Sequence, residues 1–228
     1  MKEAKGQRTA KVQSKILIVD DHPITRYGLA QLINHEPDLR VCGEAESAAQ
    51  ALAAIASARP DLVLTDITMP GRSGLEFIKD MQGQHPGVAV LIMSMHDETI
   101  YAERALRAGG RGYIMKNEGG GKLLEAIRQV LQGQVYVSKN MSAALLEVFT
   151  PHRSSVSEAT PGALSDREFE VFQLIGQGLS SRQIGQQLNL SVKTVGTHRQ
   201  HIMQKLNVQT GPALIRQAVR WAATQQLV

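Results

Sequence analysis

The sequence predicts an α/β doubly wound domain, built on a five-stranded parallel sheet, followed by a small all-α domain. Three observations lead there. Short, nearly continuous apolar runs alternate with longer amphipathic stretches from Lys15 to about Gln132. Polar residues stop four of those runs at the same end. Beyond a Ser/Thr/Pro/Gly-rich stretch that ends near Ala163, no strand pattern recurs. Apolar runs without polar alternation are strands covered on both faces, and covering both faces requires a parallel sheet between helical layers.

The elements follow in order. Strands are expected at 16–19 (ILIV), 39–45 (LRVCGEA), 62–65 (LVLT), 88–93 (VAVLIM) and 113–115 (YIM), with helices at about 24–35, 48–58, 73–83, 98–108 and 119–132. Gly119, Gly120 and Gly121 open the last of these helices. Each costs ~1 kcal/mol of helix propensity relative to alanine, so that helix is expected to start late or fray. The GGGK run lacks the spacing and the trailing Ser or Thr of a phosphate-binding loop. Past the linker, Ser165 with Glu168 and Ser180 with Gln183 fit reciprocal capping boxes, and Ser191 fits a third N-cap, which divides the remainder into short helices. The expected organisation is a basic tail over 1–14, a first domain over 15–132, a linker over 133–163 and a second domain over 164–228.

A chain of 228 residues with 43% hydrophobic and 20% charged residues can bury two modest cores and is not disordered by composition. Its single cysteine, Cys42, excludes an internal disulfide and has no neighbours at zinc-ligand spacing. The first fifteen residues lack the apolar stretch of a signal peptide and no later run is long enough to span a bilayer, so a cytoplasmic protein with no membrane partner is expected. The formal charge of +4 divides unevenly. The tail through Lys15 carries about +4, the region from Leu164 onward about +4, and the middle about −4 by difference. An acidic module followed by a basic one points to nucleic acid as the partner of the second, although ordinary surface variation explains the charge about equally well.

Position makes the first domain informative. Asp20 and Asp21 follow ILIV, Asp66 follows LVLT, Ser94 follows VAVLIM and Lys116 follows YIM. In a parallel sheet all five lie at the carboxyl edge, where open α/β folds bind ligands. Three convergent carboxylates call for a cation, and Mg2+ with oxygen ligands meets that need. One carboxylate is then able to act as a nucleophile toward phosphorus, with Lys116 and Ser94 contacting the transferred oxygens. Any one of these residues is as readily a helix cap or a solvated strand end, but their coincidence at one edge is hard to obtain by chance.

DDHP at 20–23, PDLVLTDITMPGRSGLEF at 60–77 and GYIMK at 112–116 resemble, in order and spacing, the receiver domains of two-component response regulators, specifically the NarL/FixJ group. The resemblance implies Asp66 as phosphoacceptor, Asp21 as a direct Mg2+ ligand, Asp20 as a ligand through water, and the Thr68 carbonyl as a further metal oxygen. It also implies that Ser94 and Tyr113 form a switch pair, although Tyr113 would equally serve as a half-buried strand aromatic. Asn117 stands where many receivers have proline, a replacement common in this group.

In SVKTVGTHRQHIMQKL, residues 191–206, Val195, His198, Ile202 and Leu206 recur at helical spacing and form the expected packed face. Lys193, Thr197, Gln200 and Gln204 fall on another face, with Arg199 and Lys205 alongside. Spacing alone favours an ordinary helical hairpin with a solvated face. The stretch from Leu164, LSDREFEVFQLIGQGLSSRQIGQQLNLSVKTVGTHRQHIMQKLNV, closely resembles a LuxR-type helix-turn-helix. That resemblance implies four helices with the third in the major groove, DNA contacts from Lys193, Thr194, Thr197, Arg199, Gln200 and Lys205, and a dimerising fourth helix at about 211–224. Gly196 stands where the family often has lysine, which shifts base reading toward Thr197 and Gln200. His198 and His201 lack the partner cluster of a metal site and are read as packing or phosphate-facing residues.

The resulting expectation is a transcription regulator switched by a sensor histidine kinase. It would act as a homodimer on inverted-repeat DNA, with RNA polymerase as a further partner, and catalyse only its own phosphoryl transfer and dephosphorylation. Two alternatives compete. A haloacid-dehalogenase-type phosphotransferase needs a second Asp two residues after the nucleophile, where this chain has Thr68. A receiver reduced to protein binding would not need the intact acidic and basic set.

Overall fold

The computed structural model describes residues 13–69, 73–95, 98–139, 141–142 and 161–225. The basic tail, apart from its last two residues, and most of the expected linker lie outside them. Five strands, β1 (Ser14–Val19), β2 (Leu39–Ala45), β3 (Leu62–Thr65), β4 (Ala89–Ser94) and β5 (Gly112–Met115), pair in parallel in the order β2-β1-β3-β4-β5. Between and after them run α1 (Pro23–Asn34), α2 (Ala48–Ala58), α3 (Gly74–Gln84), α4 (Glu98–Arg107) and α5 (Gly120–Leu131). The order reverses at β1, so the crevice at the carboxyl ends of β1 and β3 is where such a sheet takes a ligand.

The strand alternation has period two, and each parity feeds a different layer. Leu17, Val19, Val63, Val90 and Ile92 are buried with residues of α2, α3 and α4, whereas Ile16, Ile18, Leu62, Leu64 and Leu91 are buried with α1 and α5. Both faces being covered explains why the strands read as unbroken apolar runs.

The C-terminal domain consists of α6 (Asp166–Gly176), α7 (Ser181–Leu188), α8 (Val192–Lys205) and α9 (Gly211–Gln225). Ser165 and Ser180 make the two capping boxes, and the Ser191 side chain accepts from the Thr194 amide. Asn189 takes the left-handed conformation, φ 53°, at the turn between α7 and α8. Its short polar side chain tolerates that region better than a bulkier residue would. Ile184, Leu188, Val195, Ile202, Leu206 and Leu214 fill the core of the four helices. That core joins the α3/α4 layer of the first domain into one buried cluster.

One expectation fails. The last helix of the first domain neither starts late nor waits for the end of the glycine run, because α5 begins at Gly120. Gly119 precedes it at φ +85°, a backbone conformation that glycine adopts without steric cost. A Cβ on Gly120 would lie 3.0 Å from Leu32 Cδ2, so the lost propensity accompanies a close approach of α5 to α1. Gly74 has a similar function nearer the sheet edge. A Cβ there would fall 2.6 Å from Ile67 Cα and 2.8 Å from the Asp66 carbonyl oxygen, both rigid backbone.

Gly74→Ala should therefore destabilise the fold by about 2 kcal/mol through overpacking. Urea denaturation followed by circular dichroism measures it, and an unchanged midpoint would show that the segment after β3 yields freely.

Candidate functional site

The strands deliver their terminal residues to one edge. Asp20 follows β1 and is 1% exposed, Asp66 follows β3 at 5%, and Ser94 closes β4 fully buried. Asp21, beside them, is half-buried. Lys116 follows β5 and reaches back across the edge, donating from Nζ to Asp20 Oδ2 and to Asp66 Oδ2, each at 2.7 Å. The ammonium is thus shared between carboxylates from β1 and β3.

The electrostatics follow from that placement. Burial pushes the Asp66 carboxyl upward, and the Asp20 charge adds to the shift. The Lys116 ammonium and the Thr68 amide, which donates to Asp66 Oδ1 at 3.2 Å, offset it only in part. Burial works against the charge of Lys116, but hydrogen bonds to Asp20 and Asp66 outweigh it and hold the ammonium above its ordinary value. A buried carboxylate that resists charging gains from a second cation.

The donor set suits a hard divalent ion. Carboxylate oxygens of Asp20, Asp21 and Asp66 and a ring nitrogen of His22 all lie within 4.8 Å of one another. Asp21 Oδ1 is buried without a hydrogen bond; His22 Nδ1 is 2.8 Å away but outside hydrogen-bonding geometry. An acidic oxygen left without a donor beside two further carboxylates fits a bound cation.

Each residue expected at this edge is found there, and the sequence missed two others. His22 donates its amide to Asp20 Oδ1 at 2.8 Å, and Arg26 donates to the Asp20 carbonyl at 2.5 Å. Both sit on the turn and first coils of α1, where nothing in the local pattern distinguishes a site residue from a surface one. Tyr113 is fully buried on β5, with Ile92 as its register partner on β4, two residues before Ser94.

On α8 the expected DNA-facing residues separate into two groups. Lys193, Thr197 and Gln200 are exposed, as is Gln204. Gly196 has open space around it. Thr194 and Arg199 are half-buried, and the Thr194 hydroxyl lies 2.8 Å from that of Ser191 at the helix cap. Lys205 donates to Glu168 Oε2 at 2.6 Å, an internal ion pair that fastens the end of α8 to the start of α6. Burial opposes the charge on Glu168, but Lys205 and the Ser165 cap outweigh it and hold its carboxyl below the usual range. His198 is half-buried with Nδ1 unpartnered, and burial together with Arg167 holds its imidazolium form down.

The two domains also touch. Ile67, Thr68 and Met69, immediately after Asp66, line a cavity of about 70 Å³ with Glu170, Gln173 and Gln187 of the C-terminal domain. Glu170, hydrogen-bonded by Arg167 and by Ser73, has its carboxyl pushed upward by burial at this junction. No local sequence signal marks it, since the contact joins residues far apart in the chain.

Comparison with known proteins agrees with this architecture. Residues 16–128 match the family model described as response regulator receiver domain, and residues 162–218 match that of bacterial regulatory proteins, luxR family. The oxygen regulatory protein NreC of Staphylococcus epidermidis is 34% identical over 212 residues, a match covering 90% of this chain and 97% of that protein. Among solved structures, the response regulator ChrA of a heme-sensing two-component system is 31% identical with a TM-score of 0.50, over 95% of this chain and 99% of that one. The RcsB response regulator of Salmonella typhimurium, at 23% identity, shares the fold with a TM-score of 0.67 over 92% of this chain and 98% of that one. The chain therefore belongs to the two-component response regulators of the NarL/FixJ group, with a receiver domain and a LuxR-type DNA-binding domain.

Proposed function

We propose that Asp66 is the phosphoacceptor and that its phosphorylation by a sensor histidine kinase controls DNA binding by α8. The observation carrying this reading is the Lys116 ammonium held 2.7 Å from Asp66 Oδ2 at the carboxyl edge of the sheet. An Asp66 oxygen attacks the phosphorus of a phosphohistidine, the P–N bond breaks, and the electron pair leaves with the imidazole, which takes up a proton. Charge gathers on the phosphoryl oxygens as this happens, and Lys116 lies where it can neutralise part of it. Ser94, at the end of the neighbouring strand, is the hydroxyl placed to hydrogen-bond a phosphoryl oxygen, and Tyr113 is the aromatic that responds behind it. Asp20, Asp21, Asp66 and the Thr68 carbonyl would hold Mg2+, which when bound neutralises the clustered carboxylates and the incoming phosphoryl group. The same site would later admit water to remove the phosphate, and no further catalysis is assigned to the chain.

On the DNA side, Lys193, Thr197 and Gln200 are the exposed contacts of α8, with Thr194 and Arg199 at its margin. Lys205 contributes mainly to the domain's own fold through Glu168 and only secondarily to phosphate contact. A single helix-turn-helix reads few base pairs, so two protomers related by symmetry are expected on inverted half-sites. The exposed apolar residues Ile215 and Val219 support a pairing role for α9. Contact with RNA polymerase by the bound dimer belongs to the same reading. Among the described residues no helix is long and apolar enough to cross a membrane.

Treatment with Mg2+ and phosphoramidate should add one base-labile acyl phosphate, and Asp66→Asn should abolish it. Full labelling of that variant, read by intact-protein mass spectrometry, would remove Asp66 from the role. Asp21→Ala loses one of few protein oxygens on the ion, so it should require at least about tenfold more Mg2+ for half-maximal labelling. An unchanged Mg2+ titration would place the ion elsewhere. On DNA, Gln200→Ala should alter the sequence recovered from a randomised duplex pool. Lys193→Ala should keep that sequence, bind more weakly and show a salt slope smaller by about one. Identical behaviour of the two variants would contradict the division between base and phosphate contacts.

A further inference from the structure

The side chain of His22 is 66% exposed, so burial of apolar surface does little to fix it at the acidic edge. The backbone fixes it instead. Pro23 opens α1 and disfavours the helical region for the residue before it, and His22 is accordingly extended, at φ −92° and ψ 109°. Its amide donates to Asp20 Oδ1 at 2.8 Å, closing a short turn that holds the imidazole beside the two carboxylates. Nδ1 then lies 3.2 Å from Asp20 Oδ1 and 2.8 Å from Asp21 Oδ1.

One proton on Nδ1 does not account for both contacts. An Nδ1–H form donates to Asp20 Oδ1, which the His22 amide already serves. Asp21 Oδ1 is the nearer oxygen, yet it is buried without a hydrogen bond among the described residues. The Lys116 ammonium is given to other oxygens, Asp20 Oδ2 and Asp66 Oδ2. With the ring proton on Nε2, Nδ1 presents a lone pair beside two carboxylate oxygens. Three donors so placed resemble one side of a coordination shell. At ion–ligand distances of about 2.1 Å, neighbouring positions of an octahedron lie about 3.0 Å apart, between the two separations found here.

A nitrogen donor changes what such a site selects. Mg2+ takes oxygen ligands and keeps several waters, whereas imidazole suits first-row transition ions, whose affinity for mixed nitrogen and oxygen sites rises from Mn2+ onward. We propose that His22 Nδ1 is a ligand for a first-row transition ion held by the Asp20, Asp21 and Asp66 cluster, and that it sets the preference of this edge for such ions over Mg2+. The inference rests on the reading that these carboxylates hold a divalent cation. Mg2+ binds the same carboxylates and takes water in place of the imidazole, so His22 matters to one class of ion and not to the other.

The test uses the full-length chain without phosphodonor, and Mn2+ and Mg2+ as probes. The electron paramagnetic resonance signal of unbound Mn2+ gives its affinity, and competition gives that of Mg2+. Pulsed measurements on bound Mn2+ read whether a nitrogen nucleus is coupled to the ion. The parent should show that coupling. His22→Ala should abolish it and weaken Mn2+ binding about tenfold, while Mg2+ affinity stays within about twofold of the parent. His22→Asn supplies a capping side chain at the start of α1 without the ring nitrogen, and should behave as His22→Ala does. Recovery of Mn2+ affinity in His22→Asn would assign the effect to the helix start and overturn the proposal. Absence of nitrogen coupling in the parent, or coupling that survives His22→Ala, overturns it as well. So does an equal loss of Mn2+ and Mg2+ affinity, which would make His22 a support of the acidic turn and not a ligand. Asp21→Ala tests the cluster separately: if both ions bind that variant as they bind the parent, the ion lies elsewhere and the underlying reading fails.

Discussion

The ion pairs of Lys116 with Asp20 and Asp66 are the constraint on which the first domain depends. Three carboxylates at one sheet edge repel one another, and two of them are almost wholly buried. Removing an acid from water is costly unless a donor or cation replaces the lost hydration. Lys116 supplies that replacement across the width of three strands, reaching from the end of β5 to residues after β3 and β1. The incomplete compensation is visible in Asp66, whose carboxyl remains pushed upward despite its lysine partner. A site left with more negative charge than its own cation balances has a donor set that suits a second cation.

The turn after β3 connects that chemistry to the rest of the molecule. Ile67, Thr68 and Met69 follow Asp66 directly, and Gly74 lets α3 return against the backbone of Asp66 and Ile67. The same turn lines a cavity with residues of α6 and α7, and Tyr101 on α4 meets Phe169 and Gln173 beside it. Asp66 thus stands within a few residues of the junction between the two domains.

Glu168 shows how the C-terminal domain economises on polar groups. It closes the capping box with Ser165 and accepts from Lys205 at the far end of α8. One carboxylate thereby fixes the start of α6 and the end of the recognition helix, setting the angle at which that helix is presented. The two cations nearest its outer face, Lys193 and Arg199, have no such internal carboxylate among the ion pairs of the described residues.

Much was legible in the sequence because it is written in local patterns. Unbroken apolar runs give buried parallel strands, capping boxes give helix starts, and a polar residue ending each run marks the carboxyl edge. Asp20, Asp21, Asp66, Ser94 and Lys116 could be assigned to one crevice on those grounds, since a parallel sheet brings strand ends together whatever its loops do. The glycine run that opens α5 departs from its local reading for the opposite reason. Its helix cost is local, but the approach to Leu32 that makes glycine useful there is not. Likewise, spacing placed Lys205 near the DNA-facing residues, and only the packing of α6 against α8 gives it Glu168 as a partner. The sequence by itself determined which residues reach the crevice and which face of α8 is polar. The tertiary structure alone decided that Tyr101 and Arg104 meet α6 and that the polar outer face of α8 stays exposed while they do. Those contacts span some sixty to seventy residues of chain, and no periodicity or capping signal records how two separately patterned domains come to rest against each other.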